Sequence, residues 1–237
     1  MPLLALNPEL PVTELQAKFS EKRRLQISDF LTRESAEALK AALEKREWNL
    51  VLNDRERHID LPKSEFAKIG LSRMQAAIKQ AQGRAASEFQ YIYENIPIAD
   101  AVQSGRLNDD VLKAAYELMN SDEVIAALRT ITGLDIDFCD MQGTKYGPGH
   151  MLTPHDDAVA GKNRKFAYVL GMTRDWSAVW GGQLQFLTEQ GDVLESFVPK
   201  FNTLSIFEVP ILHHVTQVAN FAPRARISCT GWYRTKT

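Results

Sequence analysis

Cysteine is scarce: Cys139 and Cys229 are the only two in 237 residues. A pair so far apart, without CxxC spacing, builds neither a disulfide framework nor a thiolate metal knot. We expect two reduced thiols in a cytoplasmic protein. A cationic excess is missing too. Lys and Arg number 28 against 30 Asp and Glu, for a formal net charge of −2. No basic field favours direct nucleic-acid binding or an anionic membrane. No apolar run is long enough to span a bilayer, and the apolar start MPLLALNPELPVTEL lacks a basic leader segment. Thirteen Gly and ten Pro are too few for a collagenous or low-complexity chain. No internal repeat is visible. What remains is ordinary globular composition, 44% hydrophobic and 24% charged.

The pattern divides the chain. Residues 1–24 read as an N-terminal arm, 25–132 as mainly helical support, and 133–237 as a β core, all in one domain. Thr32 is placed to cap a helix carrying Leu39, Ala42 and Leu43 on one face. Trp48 to Leu52 is rich in strand formers, and His58 to Leu61 can pair with it across the charged loop NDRER. Gly70 to Tyr93 reads as one long helix, with Met74, Ala77, Ile78, Ala81, Ala85, Phe89 and Ile92 at near-helical spacing. Asn108 or Asp109 caps a further helix. Ser121 caps another, which Gly133 ends.

Beyond Gly133 the texture changes to short strands with frequent turn residues. Candidates lie near 135–146, 150–155, 164–171, 183–188, 193–198, 203–208, 214–219 and 225–233. That run suggests a β sandwich or barrel. The expected fold class is α+β: a double-stranded β-helix (jelly roll) with the N-terminal helices packed on one sheet.

The β region carries His155-Asp156-Asp157. Two residues apart on a strand, His155 and Asp157 would face the same way. One distant histidine would complete a 2-His-1-carboxylate facial triad, the ligand set of non-haem Fe(II) oxygenases. His213 and His214 both qualify. As neighbours on a strand they face opposite ways, so only one can bind. Downstream, Arg226 and Ser228 share a strand face. A buried arginine needs a partner, and a carboxylate ligand would pair it bidentately. A second HxD, His58-Ile59-Asp60, has no basic residue placed to receive a ligand and reads as structural or surface.

The segment from about Leu134 to Tyr233 resembles the 2-oxoglutarate- and Fe(II)-dependent oxygenases of the prolyl-hydroxylase-like group. The pieces occur in the family's order. They are Tyr146-Gly147-Pro148-Gly149, His155-Asp156-Asp157, Trp180-Gly181-Gly182-Gln183-Leu184, Phe207-Glu208-Val209, a late histidine, and Arg226-Ile227-Ser228 ending in Gly231-Trp232-Tyr233. HDD, FEV and the R-x-S-x-x-G-W-Y ending are most similar to the branch that hydroxylates a proline of a small-subunit ribosomal protein. The expectation is the catalytic domain alone, without the second, inactive domain of the eukaryotic members.

The resemblance implies Fe(II) held by His155, Asp157 and His214, the last chosen over His213 from its spacing to the arginine. It implies 2-oxoglutarate as cosubstrate, with Arg226, Ser228 and Tyr146 at its site, and ascorbate as a reductant. Asp157 argues against a halogenase, which has a small residue there. The implied reaction is hydroxylation of an unactivated C–H bond, first of a prolyl residue in a protein or peptide. A free amino acid or small metabolite is the alternative substrate. A non-catalytic jelly-roll binding module is the alternative outside the enzymes. One departure stands out. The family's tyrosine for the far carboxylate of 2-oxoglutarate falls at Gly171, and Tyr168 lies on the opposite face.

Overall fold

The computed structural model describes residues 3–55 and 57–236. Met1, Pro2, Thr237 and Glu56 of the NDRER loop lie outside the described residues. The expected arm is structured. Helix α1 (Val12–Lys22) leads into strand β1 (Arg24–Ile27). Next come α2 (Arg33–Glu44) and the hairpin β2 (Asn49–Asp54) and β3 (Arg57–Leu61). The short α3 (Phe66–Ile69) and α4 (Leu71–Arg84) precede β4 (Tyr91–Ile96). Three helices follow: α5 (Ile98–Gln103), α6 (Asp110–Met119) and α7 (Asp122–Thr132).

Local chemistry accounts for the helix ends. The Thr32 hydroxyl accepts from the Ser35 N–H, Asp109 accepts from Val111 and Leu112, and Ser121 accepts from Val124. Gly133 closes α7 at φ 68°, in the left-handed region that glycine adopts without strain.

The remaining strands are β5 (Phe138–Cys139), β6 (Gln142–Tyr146), β7 (Met151–His155), β8 (Arg164–Gly171), β9 (Leu184–Leu187), β10 (Val193–Phe197), β11 (Thr203–Glu208), β12 (His213–Val215) and β13 (Arg226–Arg234). They pair antiparallel in the order β1-β11-β8-β13-β6-β4-β7-β12-β9-β10. The result is a nearly closed double-stranded β-helix. One sheet centres on β11, β8, β13 and β6. The opposite sheet is β7, β12, β9 and β10. Strand β4 joins them, pairing with β6 through Glu94–Ile96 and with β7 through Tyr91 and Ile92.

Strand alternation sorts the side chains of the first sheet. On β8, Phe166, Tyr168 and Leu170 face the helices, and Ala167 and Val169 face the barrel interior. The helix side is one continuous core. Phe19, Leu39, Leu43, Leu112, Leu128 and Ile131 pack there against Leu204, Ile206, Cys229 and Tyr233. Each fully buried large side chain of this kind contributes roughly 1.5–3 kcal/mol. Tyr168 lies in that core and donates its hydroxyl to the Asp140 carbonyl at 2.8 Å.

The support region departs from the expected pattern at one element. The long helix stops at Arg84, and Tyr91 to Ile96 is strand β4. Its outward residue, Ile92, packs with Leu50, Leu52, Met151 and the Met74–Ala77–Ile78–Ala81 face of α4. The helix spacing seen in the sequence was real as far as Ala81. Ile92 joins the same cluster from a strand.

Candidate functional site

A cavity of about 360 Å³ opens between the two sheets. His155, Asp157, His213, Arg226, Tyr146, Thr144 and Trp232 all line it. His155 ends β7, and His213 begins β12 directly opposite it in the antiparallel register. Their rings lie 4.2 Å apart between centroids. The Asp157 carboxylate faces both, with Oδ1 3.3 Å from His155 Nε2 and Oδ2 3.4 Å from His213 Nε2. These three are the described His, Cys, Asp and Glu side chains whose ligand atoms converge within 4.8 Å.

Two expectations need correction here. His214 is not part of the cluster. The residues paired across β7 and β12 fix His213 toward the cavity, and alternation turns His214 to the outer face. There its Nε2 meets Gln185 Oε1 at 3.0 Å. Spacing to Arg226 could not settle this, because residues 216–225 between them form no strand. Nor does Asp157 reach the cluster by strand alternation. It lies past the end of β7 with φ 63°, so the loop after the strand delivers its carboxylate.

The electrostatics ask for a cation. His155 Nδ1 lies 3.0 Å from the Thr153 carbonyl, and His213 Nδ1 lies 2.7 Å from that of Ile211. A carbonyl only accepts, so each Nδ1 carries the proton and each Nε2 turns toward Asp157. Burial, helped by the neighbouring His155, pushes His213 down to about 4, so it is neutral at physiological pH. Burial disfavours the charged form of Asp157, and positive charge on the side facing His155 and His213 is what would outweigh it and hold the carboxyl below its ordinary value. A neutral Nε2 lone pair therefore faces an ionised carboxylate with no proton to share. A metal ion among the three atoms resolves that conflict. Two imidazoles and one carboxylate are the set that suits non-haem Fe(II).

Arg226 lies deeper in the barrel, opposite Tyr146 in the β13–β6 pairing. It is 4% exposed. Its Nη1 donates to the Gly182 carbonyl at 3.0 Å, and its guanidinium carbon sits 5.3 Å from the Tyr146 ring centroid. Burial pulls the guanidinium down from its usual value, partly offset by Tyr146. Among the described residues no carboxylate pairs with it. A buried, unpaired guanidinium beside a cavity suits an anionic ligand such as the far carboxylate of 2-oxoglutarate. Ser228 is buried on the same strand, and its hydroxyl pairs with that of Thr144 at 2.8 Å. Thr144 lines the cavity from β6.

Gly171 cannot carry the family tyrosine. A Cβ there would lie 2.2 Å from the Lys200 carbonyl oxygen. The Gly181-Gly182 pair serves close approach. A Cβ on Gly181 would lie 2.0 Å from the Gln217 carbonyl oxygen, and the Gly182 carbonyl is the one that receives Arg226.

Sequence reading missed three features of the site. Phe89, Tyr91 and Tyr93 line the cavity from β4 and the residues before it. The Phe89 ring sits 5.6 Å from that of His155, and Tyr93 stacks on Tyr146 at 5.4 Å. The alternation of Tyr91, Ile92 and Tyr93 was the available signal. His58, expected to be structural or surface, lines the cavity too and bonds the Tyr91 hydroxyl at 2.8 Å. Arg164, at the start of β8, was not singled out.

Comparisons agree with this geometry. Residues 141–234 match the model of the 2OG-Fe(II) oxygenase superfamily. Prolyl 3-hydroxylase OGFOD1 of Xenopus laevis is 32% identical over 114 residues, which cover 45% of this chain and 22% of that protein. Prolyl 3,4-dihydroxylase OGFOD1 of Ostreococcus tauri is 27% identical over 153 residues, 59% of this chain and 29% of that protein. The match thus spans less than a third of the length of either curated relative. A prolyl-4-hydroxylase of Pseudomonas putida shares the fold, with a TM-score of 0.63 at 18% identity over 95% of this chain and 99% of that one. The segment that matches the 2OG-Fe(II) oxygenase superfamily, residues 141–234, is the one that holds His155, Asp157, His213 and Arg226, and the two relatives matched in sequence are prolyl hydroxylases by name.

Proposed function

We propose that this protein is an Fe(II)- and 2-oxoglutarate-dependent dioxygenase that hydroxylates a prolyl residue of a protein or peptide. One observation carries the reading: a 2-His-1-carboxylate cluster and a buried, unpaired arginine share one cavity between the sheets. The prolyl substrate is supported by the names of the two relatives matched in sequence. When bound, Fe(II) and 2-oxoglutarate supply dioxygen activation coupled to oxidative decarboxylation, with succinate and carbon dioxide as co-products.

The chain's own residues bind, orient and shield. His155, Asp157 and His213 would hold the metal, the ligand set that suits Fe(II) and dioxygen chemistry. Arg226 receives the far carboxylate of 2-oxoglutarate in a charge-assisted pair, with Tyr146 flanking the guanidinium. Thr144, held by Ser228, offers a hydroxyl from the neighbouring strand. Phe89, Tyr91 and Tyr93 form an aromatic wall that gives a pyrrolidine ring an apolar surface and limits water. The test is a mass-spectrometric search for prolyl peptides heavier by one oxygen atom. Such peptides should disappear when the gene is deleted and return when it is restored. An unchanged set of hydroxyprolyl peptides contradicts the substrate assignment.

A further inference from the structure

The two histidines of the cluster are positioned by sheet pairing, but Asp157 is not. His213 and His155 sit opposite each other in the β12–β7 register. Asp157 lies beyond the strand, in the crossover from one sheet to the other. Its φ of 63° lies in the left-handed region, which Asp enters more readily than most side chains but which the strand does not supply. Something outside the β7–β12 ladder must hold it. Arg164 reaches across from β8 on the facing sheet. Its Nη1 donates to the Asp157 backbone carbonyl at 2.8 Å and lies 3.9 Å from Oδ1 of the same residue. The guanidinium carbon sits over the Trp232 ring of β13, 3.6 Å from its centroid. Both partners are withdrawn from water, with side chains 13% and 8% exposed. The platform is itself fixed: the Trp232 backbone N–H donates to Asp140 Oδ1 at 2.8 Å, and Asp140 pairs with Arg234.

We propose that Arg164 is a positioning residue, pinning the left-handed Asp157 backbone so that its carboxylate stays against His155 and His213, with Trp232 as the surface that orients the guanidinium. The inference rests on reading the triad as metal ligands. Arginine suits the task because a planar guanidinium can stack through its face while donating from its edge, which an ammonium cannot do. Groups that orient a metal ligand are typically worth 10–100-fold in metal affinity.

The test uses metal-free protein titrated anaerobically with Co(II), reading affinity and the visible ligand-field spectrum. R164M keeps an aliphatic stem over Trp232 and removes the donor. It should bind Co(II) about 10- to 100-fold more weakly, with an altered spectrum, while its metal-free thermal midpoint stays near wild type. R164K, whose ammonium can reach the same carbonyl, should recover part of the affinity. Should R164M not fold, R164K decides alone, and its affinity should still fall short of wild type. Wild-type affinity and spectrum in the variants overturn the proposal, and so does weakened binding with an unchanged spectrum. D157A separates the two levels of inference. If Co(II) binds wild type no better than D157A, the triad reading itself fails. If D157A loses binding and the Arg164 variants do not, only the role of Arg164 fails.

Discussion

Arg226 is the most exacting single residue in the site. A guanidinium on a residue 4% exposed, whose polar partners among the described residues are a backbone carbonyl and a tyrosine ring, is costly unless something anionic pairs with it. If that partner is 2-oxoglutarate, R226A should weaken its binding by about 2–5 kcal/mol, the cost of truncating one side of a buried charge pair. Anaerobic titration of metal-loaded protein with 2-oxoglutarate measures this, and unchanged affinity would place the carboxylate elsewhere. The two cysteines give the opposite expectation. Cys139 and Cys229 are fully buried, and desolvation pushes both thiols up to about 12. At pH 8 both stay in the protonated thiol form, which is not the nucleophile. Iodoacetamide should leave both unmodified in the native protein and label both after unfolding. Rapid native labelling of either would contradict the packing of the helix-side core. The number and spacing of the cysteines led only to the expectation of two reduced thiols; the burial that makes them inert comes from the fold.

At the scale of elements, close approach at the edge of β8 decides what the strand can carry. Gly171 pairs with Thr203 on β11 and with Ser228 on β13, and the Lys200 carbonyl fills the space where a Cβ would project. G171A should therefore destabilise by about 1–3 kcal/mol, as overpacking does, seen as a lower denaturant midpoint. An unchanged midpoint would show that the 199–202 turn yields freely. Most strands after Gly133 were legible because their side chains alternate between the barrel interior and an outer face, which the helices cover on the first sheet. Strands β8 and β11 match the expected 164–171 and 203–208. Strand β4 was not legible, because Phe89 and Ile92 extend the apolar spacing of α4 and one period shades into the other. The ligand histidine was not legible either. His213 and His214 are chemically identical neighbours, and what separates them is the pairing of β12 with β7, a contact about sixty residues away in sequence. Asp157 was found for a reason that did not hold. The sequence pattern supplied the right residue, and the loop after β7, clamped by Arg164, supplies the orientation.

For the whole molecule, the parts serve one arrangement. Helices α1, α2, α6 and α7 bury one face of the β11-β8-β13-β6 sheet. That leaves the other face to present Arg226 and Trp232 into the cavity, while the β7–β12 edge of the opposite sheet supplies the histidines. The central claim is that His155, Asp157 and His213 hold Fe(II) for 2-oxoglutarate turnover. The most direct measurement is aerobic succinate formation from 2-oxoglutarate by Fe(II)-supplemented wild type, H213A and H214A. The account expects turnover in wild type and H214A and none in H213A. Turnover that survives in H213A, or none in folded, iron-supplemented wild type, would contradict it.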